Sequence, residues 1–190
     1  MLSTVAAYGL IGCFLGMERL ARKGQEAKSL ESGPFDRGST RLLGGAFLAT
    51  TITLLLAPVL NALQIGASGA PVVGWVGIGL MLGGMALRFW ANQVLGRFYT
   101  RTLRLAADQP VIDHGPYKVL RHPGYSGVLV MWAGAGLATL NWVAAAAVIV
   151  GTCGVYCYRI RCEEDMLRSA LGQPYETYRA RTWRLVPFVY

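Results

Sequence analysis

The chain has 190 residues, enough for one domain or at most two. Hydrophobic residues make up 54% of it and charged residues only 15%, against roughly 25% charged in ordinary soluble domains, which excludes a disordered tail and a standard soluble enzyme. The net charge of +8 would suggest a nucleic-acid surface in a soluble domain, but here the charges are segregated along the chain, so no nucleic-acid partner is expected.

No formal charge precedes Glu18, Arg88 is the only one between Leu42 and Gly96, and none lies between His122 and Tyr158. Runs of this kind read as membrane spans, because a central Lys, Arg or Asp costs about 2.5 to 3.5 kcal/mol on insertion scales. The first, Leu2 to about Ala21, lacks the basic start and cleavage site of a signal peptide and is expected to be retained. The loop from Lys23 to Gly38, with its Gly-Pro and Asp-Arg-Gly, is expected to be mobile. Leu42 to about Leu60 forms the second span and Val72 to about Leu95 the third. Arg88 lies inside the third, and an intramembrane arginine is a functional suspect, here for the substrate route.

Gly124 to about Leu140 and Trp142 to about Tyr158 make the last two spans. At about 17 residues each they reach about 25 Å and barely cross a core of roughly 30 Å. Only Asn141 separates them, so a tight helical hairpin is expected, with Gly134, Gly136, Gly151 and Gly154 allowing close backbone approach.

The loops set the orientation. Six basic residues lie from Arg19 to Arg41 and five from Arg97 to Arg121, whereas the link from Asn61 to Pro71 and the turn at Asn141 carry no charge. The positive-inside rule then puts the N-terminus outside and the basic loops and C-terminal tail in the cytoplasm. Much of the basic excess serves this sidedness and attraction to anionic lipid head groups.

Cys13, Cys153, Cys157 and Cys162 show no disulfide or zinc spacing and read as buried structural thiols; no metal is expected. Gly77-x-Gly79 and Gly134-x-Gly136 lie inside apolar spans with no βαβ context, so they read as packing devices rather than a dinucleotide loop.

Chemistry gathers beyond the third span. Pro116 and Pro123 break helix continuation and leave backbone groups for a ligand. Tyr117, His122 and Tyr125 offer flat faces and hydrogen-bonding edges. Arg159 and Glu163, four apart on a helix, share a face, one suited to an anion and the other to an ammonium group. The alternative for Arg159 with Glu163, and for Arg161 with Asp165, is a surface ion pair; for the tyrosines it is interfacial anchoring.

Gly115-Pro116-Tyr117, then Arg121-His122-Pro123-x-Tyr125-x-Gly127, Asn141-Trp142, Arg159-x-x-x-Glu163-Glu164-x-x-Leu167, Leu171-Gly172-x-x-Tyr175-x-x-Tyr178 and Arg184-Leu185-x-Pro187 follow one another in order. This series resembles the isoprenylcysteine carboxyl methyltransferase family and its prokaryotic relatives, over about the C-terminal half from near Arg97. The resemblance implies an all-α integral membrane protein of about five transmembrane helices, with a cytoplasmic C-terminal helical segment completing a cofactor site. Residues 1–95 read from their hydropathy as three N-terminal transmembrane helices, and the resemblance implies 96–190 as the methyltransferase region, the two forming one structural domain. The implied cofactor is S-adenosyl-L-methionine. The implied partners are a lipophilic or prenylated substrate entering from the bilayer, and membrane lipids.

By position, the resemblance assigns Gln109, Pro110, Val111, Ile112, Tyr117, His122, Pro123, Gly124, Tyr125 and Glu163 to cofactor binding, and Arg159 to the substrate side. Arg159 and Glu163 are the expected catalytic pair, with Arg88 added as a substrate-route residue. An outlying cofactor contact falls near Thr102. Gln109 stands where a histidine is usual, Gly124 where a larger residue is common, with a wider pocket expected, and Leu171 where phenylalanine precedes the glycine. Two rivals share parts of the pattern: a membrane sterol or enoyl reductase using NADPH, and a non-catalytic lipid-binding protein. The reductase pattern places Asn before the tyrosine and Glu shortly after it, where this chain has Gly124 and Ser126-Gly127.

Overall fold

The computed structural model describes residues 2–20, 33–100, 102–104 and 108–189. Among these residues six α-helices follow one another: α1 (Leu2–Leu20), α2 (Ser39–Ala62), α3 (Pro71–Leu95), α4 (Pro123–Ala138), α5 (Trp142–Leu171) and α6 (Gln173–Ala180), with short 3-10 turns at Gly96–Phe98 and Gly115–Lys118. Among the described residues there is no strand, only isolated bridges pairing Ala67 with Asn141 and Leu120 with Trp183. The expected mobile loop falls partly outside the described residues. Its end, residues 33–38, turns tightly into α2, with the Ser39 amide donating to the Asp36 carbonyl at 2.7 Å.

Three helices, Ser39–Ala62, Pro71–Phe98 (α3 with its 3-10 extension) and Trp142–Leu171, are long and apolar enough to cross a membrane. They turn large apolar side chains outward: Leu48, Leu55 and Val59 on α2, Val72, Trp75 and Leu82 on α3, Val150 on α5. Such faces are stable against lipid and costly against water. The protein is an all-helical membrane protein.

In lipid, backbone groups left over by the helices need internal partners. Pro58 cannot supply the amide that would bond Leu54, and the Tyr8 hydroxyl of α1 donates to the Leu54 carbonyl at 2.8 Å. At the end of α4, the Ala138 carbonyl accepts from Ser3 at 3.0 Å and Thr4 at 3.1 Å. Helix α1 thus ties two backbone defects to its own hydroxyl side chains.

Helices α3 and α4 cross antiparallel on glycines. A Cβ at Gly77 would lie 2.5 Å from the Gly134 carbonyl oxygen, and one at Gly127 would lie 2.6 Å from that of Gly84. Within the hairpin the expectation is met by Gly136, which rests on Ala145 of α5; Gly134 packs instead on Gly77 of α3, and Gly151 and Gly154 have no neighbour within 4 Å. Close approach to α4 thus comes largely from α3, which sequence spacing within the hairpin does not reveal.

The hairpin turn is built by Asn141, which is 1% exposed. Its side-chain oxygen accepts the Ala144 amide at 2.9 Å and caps α5, while its Nδ2 donates to Asn61 Oδ1 and the Ile65 carbonyl, each at 2.8 Å. Asn61 Nδ2 reaches the Thr139 carbonyl at 2.9 Å. This uncharged end of the bundle is therefore closed by amides. The opposite end carries the charge.

Helix α5 does not stop near Tyr158 but continues to Leu171. No Gly or Pro interrupts that stretch, and Glu163, Glu164 and Arg168 are good helix formers. It ends at Gly172, whose φ is 57°, and Pro174 then opens α6. At 1.5 Å per residue a helix of 30 residues is about 45 Å long, so the polar last turns outreach the hydrocarbon core by about 15 Å.

The candidate active site

Beneath that polar extension lies a cavity of about 410 Å³, walled by residues of all six helices and by the described residues 98–100, 102–104, 109–112, 117 and 121–122. Gln109, Pro110, Val111, Ile112, Tyr117, His122, Gly124, Tyr125, Arg159, Glu163 and Arg88 all line it, as do Thr102 and Leu171. Pro123 is the expected cofactor residue that does not; it is buried as the first residue of α4. A chain order spanning some 75 positions is thus gathered around one space.

Four buried polar atoms in this wall have no hydrogen-bond partner among the described residues: Glu163 Oε2, Gln109 Oε1, Thr102 Oγ1 and the Tyr175 hydroxyl. Leaving one such group unsatisfied costs about 1 to 3 kcal/mol, so their convergence fits a polar ligand that supplies the missing partners. The ring of His122 stacks on Tyr125 with centroids 5.6 Å apart and planes 9° apart. The Tyr125 hydroxyl accepts from Arg159 Nε at 3.4 Å. Burial pushes the Tyr117 and Tyr175 phenols far above their usual range, so both stay neutral.

The expected pair, Arg159 and Glu163, faces the cavity, with a carboxylate from elsewhere on the arginine. Arg159 is 2% exposed, and its Nη1 donates to Asp36 Oδ1 at 2.8 Å, Ser39 Oγ at 2.7 Å and Thr40 Oγ1 at 3.0 Å. Asp165 pairs with Arg37 at 3.1 Å, a second tie between the turn before α2 and α5. Glu164, next to Glu163 but turned to the other side of the helix, gathers Arg121 at 2.8 Å, Arg184 at 2.9 Å and His122 Nε2 at 3.4 Å. Arg121 also donates to the carbonyls of Arg179 and Thr182, clamping the tail onto α4.

Arg88 sits in the wall with its guanidinium held. Its Nε and Nη2 donate to the two Glu18 oxygens at 2.8 and 3.2 Å, and Nη2 also donates to the Tyr99 hydroxyl at 2.9 Å. Tyr99 closes the triangle by donating to Glu18 at 3.0 Å. The widening expected at Gly124 does not follow, because a Cβ there would lie 2.9 Å from Arg88 Nη1: the arginine occupies that space.

The far part of the cavity is apolar. Trp132 meets Phe14 edge-on at 6.4 Å and Phe47 at 5.9 Å, beside Val128. Among the described residues no group of three or more His, Cys, Asp or Glu could hold a metal ion. Of the cysteines only Cys162 is buried, packed with Leu103 and Met166; Cys13 is exposed and Cys153 and Cys157 are half-exposed, contrary to a uniformly buried set.

Asp36 and Glu18 were not singled out by sequence, and Glu164 entered only as a member of the quoted series, with no role given to it. Glu18 was legible as the only acid at the end of the first apolar run, opposite the only base inside the third. Asp36 carried no such signal, because its partner lies 123 positions away.

Residues 76–169 match the sequence model of the isoprenylcysteine carboxyl methyltransferase (ICMT) family. Relatives include a probable protein-S-isoprenylcysteine O-methyltransferase of Oryza sativa subsp. indica, 31% identical over 119 residues that cover 62% of each chain. Protein-S-isoprenylcysteine O-methyltransferase B of Arabidopsis thaliana is 30% identical over 115 residues, 60% of this chain and 58% of its own. The chain thus spans about three fifths of the length of these relatives. A solved structure of the eukaryotic intramembrane Ras methyltransferase ICMT shares the fold with a TM-score of 0.65 at 22% identity, over 78% of this chain and 53% of that one. The matched segment holds Arg88, the His122–Tyr125 stack, Arg159 and Glu163, and through it the chain is similar to the isoprenylcysteine carboxyl methyltransferase family.

Proposed function

We propose that this protein is an integral membrane methyltransferase that uses S-adenosyl-L-methionine to methylate a lipophilic acceptor. An isoprenylcysteine carboxylate is the first substrate to test, since the named relatives carry that activity. The observation that carries the reading is the set of buried polar atoms on Glu163, Gln109, Thr102 and Tyr175 that have no hydrogen-bond partner among the described residues, around a cavity that continues into an apolar chamber. A polar cofactor and a greasy acceptor would each find a matching wall.

The residues present fit that cofactor. Glu163 would accept from its ammonium group, the His122 and Tyr125 rings would give it flat faces, and Gln109 with the backbone of Pro110 to Ile112 would hold its adenosine part. When bound, S-adenosylmethionine supplies an electrophilic methyl group on a sulfonium. The chain's own contribution is to orient the partners and keep water out. Arg159 would direct an anionic acceptor group, while Val128, Trp132, Phe14 and Phe47 would hold its hydrocarbon. A carboxylate acceptor needs no general base, since its oxygen is already the nucleophile.

In the membrane, we read α1 and α4 as spans alongside the three longer helices, giving five, with the N-terminus outside and the cavity opening toward the cytoplasm. The support is the segregation of charge: Glu18, Arg88, Asp36, Arg159, Glu163 and Glu164 gather at one end and the amides of Asn61 and Asn141 at the other. Incubating the purified protein with methyl-labelled cofactor and an S-isoprenylcysteine tests the function. Label in a base-labile ester is expected, and Glu163→Ala should lower kcat/KM by about tenfold or more. No transfer to this acceptor or to a total lipid extract would contradict the reading.

A further inference from the structure

Arg159 is the cavity's buried cation on α5, and its placement is decided outside the segment that matches the family. Asp36 is 3% exposed in the turn before α2. Its Oδ1 accepts from Ser39 Oγ at 2.9 Å and from Thr40 Oγ1 at 2.7 Å, and its Oδ2 accepts the Thr40 amide at 3.3 Å. With both hydroxyl protons pointing at Asp36, the lone pairs of Ser39 and Thr40 are left facing Arg159 Nη1, which donates to all three residues. The network has one direction, from guanidinium through hydroxyls to carboxylate. It fixes the rotamer of Arg159 and offsets its charge at the same time.

We propose that Asp36 is a positioning residue that sets how Arg159 meets the acceptor: it holds the guanidinium in the cavity wall and weakens its pull on an anionic acceptor group. This rests on the methyltransferase reading above. The two effects are separable by substitution. Asp36→Asn keeps an oxygen for the hydroxyls and the guanidinium but removes the opposing charge. Asp36→Ala removes both.

The test uses the full-length protein in detergent with labelled cofactor and N-acetyl-S-farnesylcysteine as the carboxylate acceptor. For Asp36→Asn, KM for this acceptor is expected to fall about fivefold with kcat changed less, because Arg159 is no longer offset. For Asp36→Ala, kcat/KM is expected to fall about tenfold or more through misplacement of the guanidinium. S-adenosylhomocysteine affinity by calorimetry is expected to match wild type in both. Equal kinetics in wild type and both variants, or a parallel loss of turnover and S-adenosylhomocysteine affinity, would overturn the role of Asp36. Should the Asp36 variants not fold, Ser39→Ala keeps the carboxylate while loosening the guanidinium, and is expected to lower kcat/KM with cofactor affinity intact; unchanged kcat/KM would overturn the proposal. Wild-type protein that binds no S-adenosylhomocysteine contradicts the methyltransferase reading itself, a failure distinct from that of Asp36.

Discussion

Glu18 and Arg88 show what a single buried charge requires. Each side chain is about one-eighth exposed, at 13% and 12%, and together with Tyr99 they close a triangle in the cavity wall. Removing one member strands the other, so Arg88→Ala or Glu18→Ala is expected to lower stability by about 3 to 5 kcal/mol, whereas Glu18→Leu combined with Arg88→Met should cost much less. Chemical denaturation in detergent measures both; equal costs for single and double variants would contradict the pairing. Asp36 gives a pH dependence. Burial alone would raise its pKa, but the hydrogen bonds from Thr40 and Ser39 and the charge of Arg159 hold it below the ordinary aspartate range near about 4. A depressed pKa contributes stability that is complete above the unfolded value and lost as pH falls through the folded one. Thermal stability below about pH 4 should therefore decline more steeply in wild type than in Asp36→Asn. Arg159 and Glu163 were readable because a helix puts positions four apart on one face; Asp36 was not, because ion pairs between distant segments leave no periodicity behind.

Among the elements, the apolar runs gave the helices directly, since spans need unbroken hydrophobic stretches and the charges mark their ends. What sequence missed is how elements meet. The Gly77 and Gly84 pair on α3 faces Gly134 and Gly127 on α4, a register fixed only once the helices are packed. Gly84→Leu should therefore force the backbones apart and abolish the folded species on size-exclusion chromatography, while Gly79→Leu and Gly151→Leu, which face open space, should be tolerated. Sequence spacing put Arg159 and Glu163 on a helix, but the unbroken run of α5 from Trp142 to Leu171 was hidden by the change from apolar to charged residues, which marks the edge of the membrane and not the end of a helix. Tyr8 offers a finer check: Tyr8→Phe leaves the Leu54 carbonyl beside Pro58 without its donor and should cost about 1 kcal/mol.

At the scale of the whole molecule, the net charge of +8 resolves into a bundle with two unlike ends. One is closed by Asn61 and Asn141, the other by the ion pairs of Glu18, Asp36 and Glu164. Between the charged end and the apolar interior lies the cavity, polar where Gln109, Glu163 and Tyr175 face it and apolar where Trp132 does. That gradient suits a reaction between a polar methyl donor and a membrane-borne acceptor. The most direct test of this central claim is calorimetric titration of the purified protein with S-adenosylhomocysteine and, in parallel, with NADPH. Saturable binding of S-adenosylhomocysteine that weakens about tenfold or more in Glu163→Ala, with no binding of NADPH, is the predicted result. Saturable binding of NADPH without S-adenosylhomocysteine, or binding of neither, would contradict it.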